Sequence, residues 1–161
     1  EPNFEQQTVA QFSALGLLPS VQSRLDDYHR TVTDGSASVA GRKIALITSE
    51  PVAKGYVILW TNYLGNAVAS DLGFDVLHYD SEDDEGNYRL SVENFDRIAD
   101  ADFIFHQTTD PTTIEGLAAW QNLPAVSAGR SAVLDPQLNN GLVITATTFA
   151  NRLIDVVRDQ G

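Results

Sequence analysis

Residues 90–111, LSVENFDRIADADFIFHQTTDP, and residues 117–135, LAAWQNLPAVSAGRSAVLD, decide the fold of this 161-residue chain. Ser91 is placed to cap a helix that buries Val92, Phe95 and Ile98 at helical spacing. Asp102 to His106 is a short apolar run that reads as a buried strand, and a second helix is expected from about Thr112 to Gln121. A short strand near Ala125 and another over Ser131 to Leu134 complete the segment.

The same alternation extends upstream. Lys43 to Thr48 reads as a strand, a helix rich in large apolar residues runs from Val57 to Leu72, Gly73 stops it, and Phe74 to Tyr79 is a further strand. A last helix starts at about Val143 or Thr147 and ends near Arg158. Before the body, Asn3 and Gln6 suit the cap of a first helix carrying Phe4, Val9, Phe12 and Leu15, with Gly16 at its end. Pro19-Ser20 opens a second helix with Val21, Leu25, Tyr28 and Val32 on one side, and Asp34 to Ser38 reads as a linker. Residues 1–39 are therefore expected to be a helical segment and residues 40–161 an α/β lobe. Strands separated by helices give a three-layer, Rossmann-like lobe with a mainly parallel sheet. In such sheets ligands meet the loops at the carboxyl ends of the strands, here those starting at Ser49, Asp80, His106 and Asp135.

Composition narrows the function. A formal net charge of −12 argues against nucleic acid, which needs clustered Lys and Arg, and otherwise serves solubility. The absence of cysteine excludes disulfides, thiolate metal sites and cysteine nucleophiles. No apolar run reaches the length of a membrane span. The chain opens on Glu1-Pro2 and contains no Met, so we read it as a processed chain or an excised domain.

Catalytic and nucleotide motifs fail. There is no GxGxxG after a strand, no GxxxxGK[ST] and no GxSxG. The first strand ends in Thr48-Ser49-Glu50 and the third in His106-Gln107, a poor set for magnesium. The run Asp80 to Gly86 alternates acids like a calcium loop, but Glu85 and Ser91 occupy its sixth and twelfth positions, so a solvated acidic turn fits better. No resident cofactor or protein-bound metal is expected. Candidate ligand contacts are Tyr56, Arg89 and His106, with Trp60 weaker. Tyr56 and His106 sit where strands end, and Arg89 either pairs with an anionic cargo or is a solvated turn residue. Trp60 and Tyr63 follow at spacings that also suit a core. His78 is expected to be a structural strand residue.

The order of parts resembles the C-terminal lobe of class III substrate-binding proteins, which serve ABC importers of iron–siderophores and cobalamin. That family opens a helix with Leu-Ser-x-Glu, matched by Leu90, Ser91 and Glu93, and runs to an Ala-Asp-apolar strand, matched by Ala101, Asp102 and Phe103. A Trp-x-x-Leu-Pro-Ala-Val-x-x-Gly-Arg segment then leads to a strand ending in Asp. Trp120, Leu123, Pro124, Ala125, Val126, Gly129, Arg130 and Asp135 match it. Upstream, Ala14-Leu15-Gly16 and Tyr28 fit the helical segment ahead of the second lobe, and GRKIALITSE fits that lobe's first strand. The resemblance implies two lobes joined by a long helix, with ligand held between them and the N-terminal lobe missing here. It implies an extracytoplasmic, non-enzymatic protein, periplasmic or a cell-surface lipoprotein, that delivers a ferric siderophore to a permease. Cobalamin or haem is the alternative cargo. It also implies that Glu93 docks on permease arginines, whereas first-turn placement after Ser91 explains the same acid as a helix-end charge. A small α/β enzyme domain, resting on His106 and Glu50, and a purely structural interaction domain are the readings outside transport.

Overall fold

The structure, a computed structural model, describes residues 4–61, 63–80, 88–139 and 141–161. Two helices lead in, α1 (Phe4–Ala14) and α2 (Leu18–Val39). Six strands follow: β1 (Lys43–Thr48), β2 (Tyr56–Leu59), β3 (Asp75–Val76), β4 (Tyr88–Ser91), β5 (Phe103–Gln107) and β6 (Ser131–Leu134). Between them lie α3 (Leu64–Asp71), the single-turn helices α4 (Thr112–Glu115), α5 (Ala118–Gln121) and α6 (Pro124–Ser127), and 3₁₀ segments over Glu50–Lys54, Val92–Ile98 and Pro136–Asn139. The chain ends in α7 (Val143–Gln160).

The sheet order is β4-β2-β1-β5-β6, with β3 also on β1. β3 and β5 run parallel to β1, and β6 parallel to β5; β2 is antiparallel to both β1 and β4. The expected α/β class with a mostly parallel sheet is what the chain adopts. Apolar residues fill both faces. On one side α1, α2, α3 and α7 pack over Ile44, Leu46, Phe103 and Phe105. On the other, the 3₁₀ segments over Glu50–Lys54 and Val92–Ile98 and the short helices cover Ala45, Ile47, Ile104 and Leu90. Among the described residues no helix is long and apolar enough to cross a membrane.

Several local expectations are corrected. The helix expected from Val57 to Leu72 is half strand. Tyr56–Leu59 alternates inward and outward as β2, and helix α3 begins only at Leu64, after Asn66 has capped it by accepting from Tyr63 N and donating to the Trp60 carbonyl. The β-branched pair Val57-Ile58 favours the pleat. This also shortens the strand expected over 74–79. β3 holds only the Lys43–Ile44 end of β1's edge, because β2 takes the Ile47–Thr48 end, and His78 lies exposed beyond it.

The expected linker at 34–38 is the last turn of α2. There Gly35 lets α2 and α7 touch: a Cβ at that position would sit 2.2 Å from Ile154 Cδ1. Ser36 and Ser38 hydroxyls donate back to carbonyls within the helix. The strand expected near Ala125 is helix α6, started by Pro124 and stopped by Gly129 at φ 72°. The expected 112–121 helix is broken into α4 and α5 by the extended backbone at Leu117. After Ser91, the helix forms as a 3₁₀ segment with Asn94 outside helical angles. The apolar side expected of α1 is also different. Phe4 and Thr8 are buried, whereas Val9 and Leu15 face outward. The Asn3 cap and the acidic run after Asp80 fall outside the described residues.

Candidate functional site

β1, β5 and β6 all point their carboxyl ends to one rim of the lobe. α2 leads into the amino end of β1 and α7 leaves the carboxyl end of β6, so both helices start at that rim. Thr8 fastens the start of α7: fully buried, its hydroxyl oxygen accepts from Val143 N at 3.3 Å while donating to the Phe4 carbonyl.

Polar residues finish the apolar strands. Trp60 Nε1 donates to Thr48 Oγ1 at 2.8 Å, and Thr48 Oγ1 donates to Gln107 Oε1 at 3.2 Å. Gln107 Nε2 donates in turn to the Pro136 carbonyl at 2.8 Å. This belt crosses from β2 to the loop after β6. On the opposite face Ser49 Oγ hydrogen-bonds His106 Nδ1 at 3.2 Å, and the His106 ring lies 5.0 Å from that of Trp120. Glu50 closes the neighbouring loops by accepting from Thr109 N at 2.9 Å. Sequence reasoning missed Thr48, Ser49 and Gln107 as the floor of the rim. Their signal was present, since each is a polar residue ending an apolar strand.

The candidate residues separate into two groups. Tyr56 and Arg89 come together on the outer part of the sheet, the guanidinium 5.6 Å from the ring centre. Tyr56 starts a strand rather than a helix, as the sequence had implied. Because β2 is antiparallel, its first residue still lies beyond the carboxyl end of β1. Ile58, Arg89 and Ser91 share the face of Tyr56, which is half-buried beside an exposed Arg89. Trp60 and His106 are inside instead. Trp60 is 1% exposed and its ring is stacked with Phe149 at 6.1 Å. His106, expected to face the crevice, is 2% exposed under Trp120. The alternation of β5 turns its ring into the core, where desolvation lowers its pKa to about 4 and keeps it neutral.

Glu93 is exposed in the first turn after the cap, and its own N–H donates to Ser91 Oγ at 3.4 Å. Asp110 accepts from the Thr112 and Thr113 hydroxyls, which hold its carboxyl below the usual range. Among the described residues no group of three or more His, Asp or Glu could hold a metal ion.

Near the end of the 3₁₀ segment that follows β4, Arg97 is wedged against two aromatic rings. Its guanidinium lies 5.5 Å from the Tyr79 ring centre and 5.8 Å from that of Tyr88, and it donates to the Tyr88 hydroxyl. Tyr79 Oη donates to the Arg97 carbonyl at 2.6 Å.

No protein-family model and no curated protein matches the sequence. The fold, by contrast, is that of the siderophore periplasmic binding proteins. The protein from the fuscachelin gene cluster of Thermobifida fusca superposes with a TM-score of 0.78 at 21% identity, over 97% of this chain and 60% of that one. The siderophore binding protein FhuD of Vibrio cholerae, solved with Fe3+–Desferal, gives 0.78 at 17% identity over 97% and 65%. PiaA of Streptococcus pneumoniae, solved with ferrichrome, gives 0.73 at 13% identity over 99% and 58%. The chain thus spans about three-fifths of the length of these structures, and the likeness is one of fold.

Proposed function

We propose that this chain is the C-terminal lobe of a class III solute-binding protein of an ABC importer, capturing a ferric siderophore and presenting it to the permease. The observation that carries the reading is the fold shared along nearly the whole chain with siderophore-binding proteins. On this reading residues 1–39 are the inter-lobe helical region and residues 40–161 the ligand-binding lobe. The protein works outside the cytoplasm, in the periplasm or as a cell-surface lipoprotein, and performs no chemistry on its cargo.

Iron stays within its chelator, so the protein has only to recognise the outside of the complex. Tyr56 and Arg89 supply an aromatic face and a fixed positive charge at the rim, a combination suited to a flat, anionic chelate. Trp60 and His106 instead fix the carboxyl end of β1 from its two faces, through Thr48 and Ser49. Glu93, exposed and apart from these residues, is the docking acid for a basic permease surface.

Tryptophan-fluorescence titration of the longer polypeptide that contains this chain tests the reading, using ferric siderophores, ferric citrate, haem and cobalamin. Saturable quenching by a ferric chelate is expected, and weak or no quenching in the 161-residue chain alone. Quenching by haem or cobalamin only reassigns the cargo, and silence toward all of them ends the transport reading.

A further inference from the structure

Between α1, the start of α2 and the start of α7 runs a groove of about 430 Å³, within the size range of small-molecule sites. Its walls are apolar: Phe12 on α1, Val21 on α2, and Leu142, Val143 and Ile144 at the start of α7. Thr8 also lines it, but its hydroxyl is already used twice, donating to the Phe4 carbonyl and accepting from Val143 N. The interior therefore suits hydrocarbon. Among the described residues a single cation lines the groove: Arg24, which also borders an adjoining hollow of about 200 Å³.

We propose that this groove binds a free medium-chain fatty acid, with its hydrocarbon tail along Phe12, Val21 and Val143 and its carboxylate on Arg24. Charge selects that occupant. The chain carries a formal net charge of −12, so an anion is repelled over most of the surface and is held only where a cation is not already taken. Arg24 makes no ion pair among the described residues; Asp27, which shares the adjoining hollow with it, is paired with Arg30 at 3.0 Å. A guanidinium can donate to both oxygens of a carboxylate at once. An uncharged lipid would leave Arg24 without that partner, and a short carboxylate would leave the apolar walls in water. A second copy of the chain fits less well, because two bodies of the same net charge repel one another. The groove shares no residue with the Tyr56–Arg89 pair and calls for no iron, so the proposal stands apart from the transport reading.

Fluorescence titration with cis-parinaric acid, then displacement by decanoate, methyl decanoate and butyrate, tests this in the 161-residue chain and in the longer polypeptide that contains it. Saturable binding is expected in both, with decanoate displacing the probe at least tenfold better than the ester or butyrate. Arg24→Gln should weaken decanoate at least tenfold. Arg158→Gln, the same charge change in the last turn of α7, should leave it unaltered. Equal displacement by acid and ester overturns the proposal, as does an Arg24→Gln variant that binds as tightly as the wild-type chain. Binding by the 161-residue chain that the longer polypeptide lacks also overturns it, giving the groove to another part of that polypeptide. Binding that disappears as the chain's concentration rises does the same, giving the groove to a second copy. Failure to bind ferric chelates would sink the transport reading while leaving this result intact.

Discussion

Arg89 reaches diagonally across the β2–β4 pair to lie over Tyr56, two residues out of register on the same sheet face. Diagonal neighbours on adjacent strands are within reach of a long side chain, and an exposed cation–π contact is worth about 0.5–1 kcal/mol. The contact sets the guanidinium over the ring while leaving Arg89 exposed to solvent. Replacing Arg89 with Ala is therefore expected to cost little stability but about tenfold or more in affinity for an anionic ferric chelate. Tyr56→Ala should behave alike, and the double variant worse than either. Calorimetric titration of the longer polypeptide checks this; unchanged affinity in the double variant removes both residues from the site.

Glu93 should separate capture from delivery. Its side chain is exposed, and Ser91 caps the segment through the Glu93 backbone rather than its carboxylate. Glu93→Gln should leave chelate affinity in solution unchanged and reduce uptake by cells that carry the cognate permease. Normal uptake would assign the residue to the helix end alone.

His106 makes the fold sensitive to acid. Burial lowers its pKa to about 4, below the ordinary value of 6.5 that the unfolded chain restores. Between those values the unfolded state binds a proton that the folded state refuses, so stability falls as pH drops from about 6.5 to 4. The loss is of order 3 kcal/mol. The many carboxylates titrate in the same region, so the readout is the difference between the wild-type chain and His106→Phe. In urea unfolding at pH 7 and pH 4.5, the wild-type chain should lose more stability than the variant. Equal losses would show that the ring is not held neutral.

Gly35 sets the spacing of α2 on α7. Ala at this position gains about 0.5–1 kcal/mol of helix propensity but drives a methyl into Ile154, an overpacking that typically costs about 1–3 kcal/mol. A net loss is expected. Ile154→Val removes the Cδ1 atom in the way, so the double variant should lose less than the sum of the two single changes. An additive thermal-unfolding cycle would place the strain elsewhere.

Much of this architecture is legible in the residues. The apolar runs at 43–48 and 103–107 and the helix over 143–160 announce themselves by periodicity and length: the two strands are buried on both faces, and the helix lays one apolar face on the sheet. What escapes is decided by partners. Val57 to Leu72 carries enough apolar residues for a helix. Its first part becomes a strand because β1 has an unfilled edge beside Ile47 and Thr48. Gly35 looks like a linker residue until Ile154 is seen against it. At the site, Tyr56 and Arg89 could be nominated singly from residue type, but their contact follows from a β2–β4 register that no local pattern encodes. His106 misleads for a related reason: position along a strand says where a residue ends up, and only the pleat says which way it turns.

The Arg97 wedge makes separate segments of the lobe depend on a single residue. Tyr79 and Tyr88 flank the sequence between β3 and β4, and one guanidinium fastens both to the body. Three pieces of chain thus share one side chain, so losing Arg97 would loosen all three together rather than one at a time.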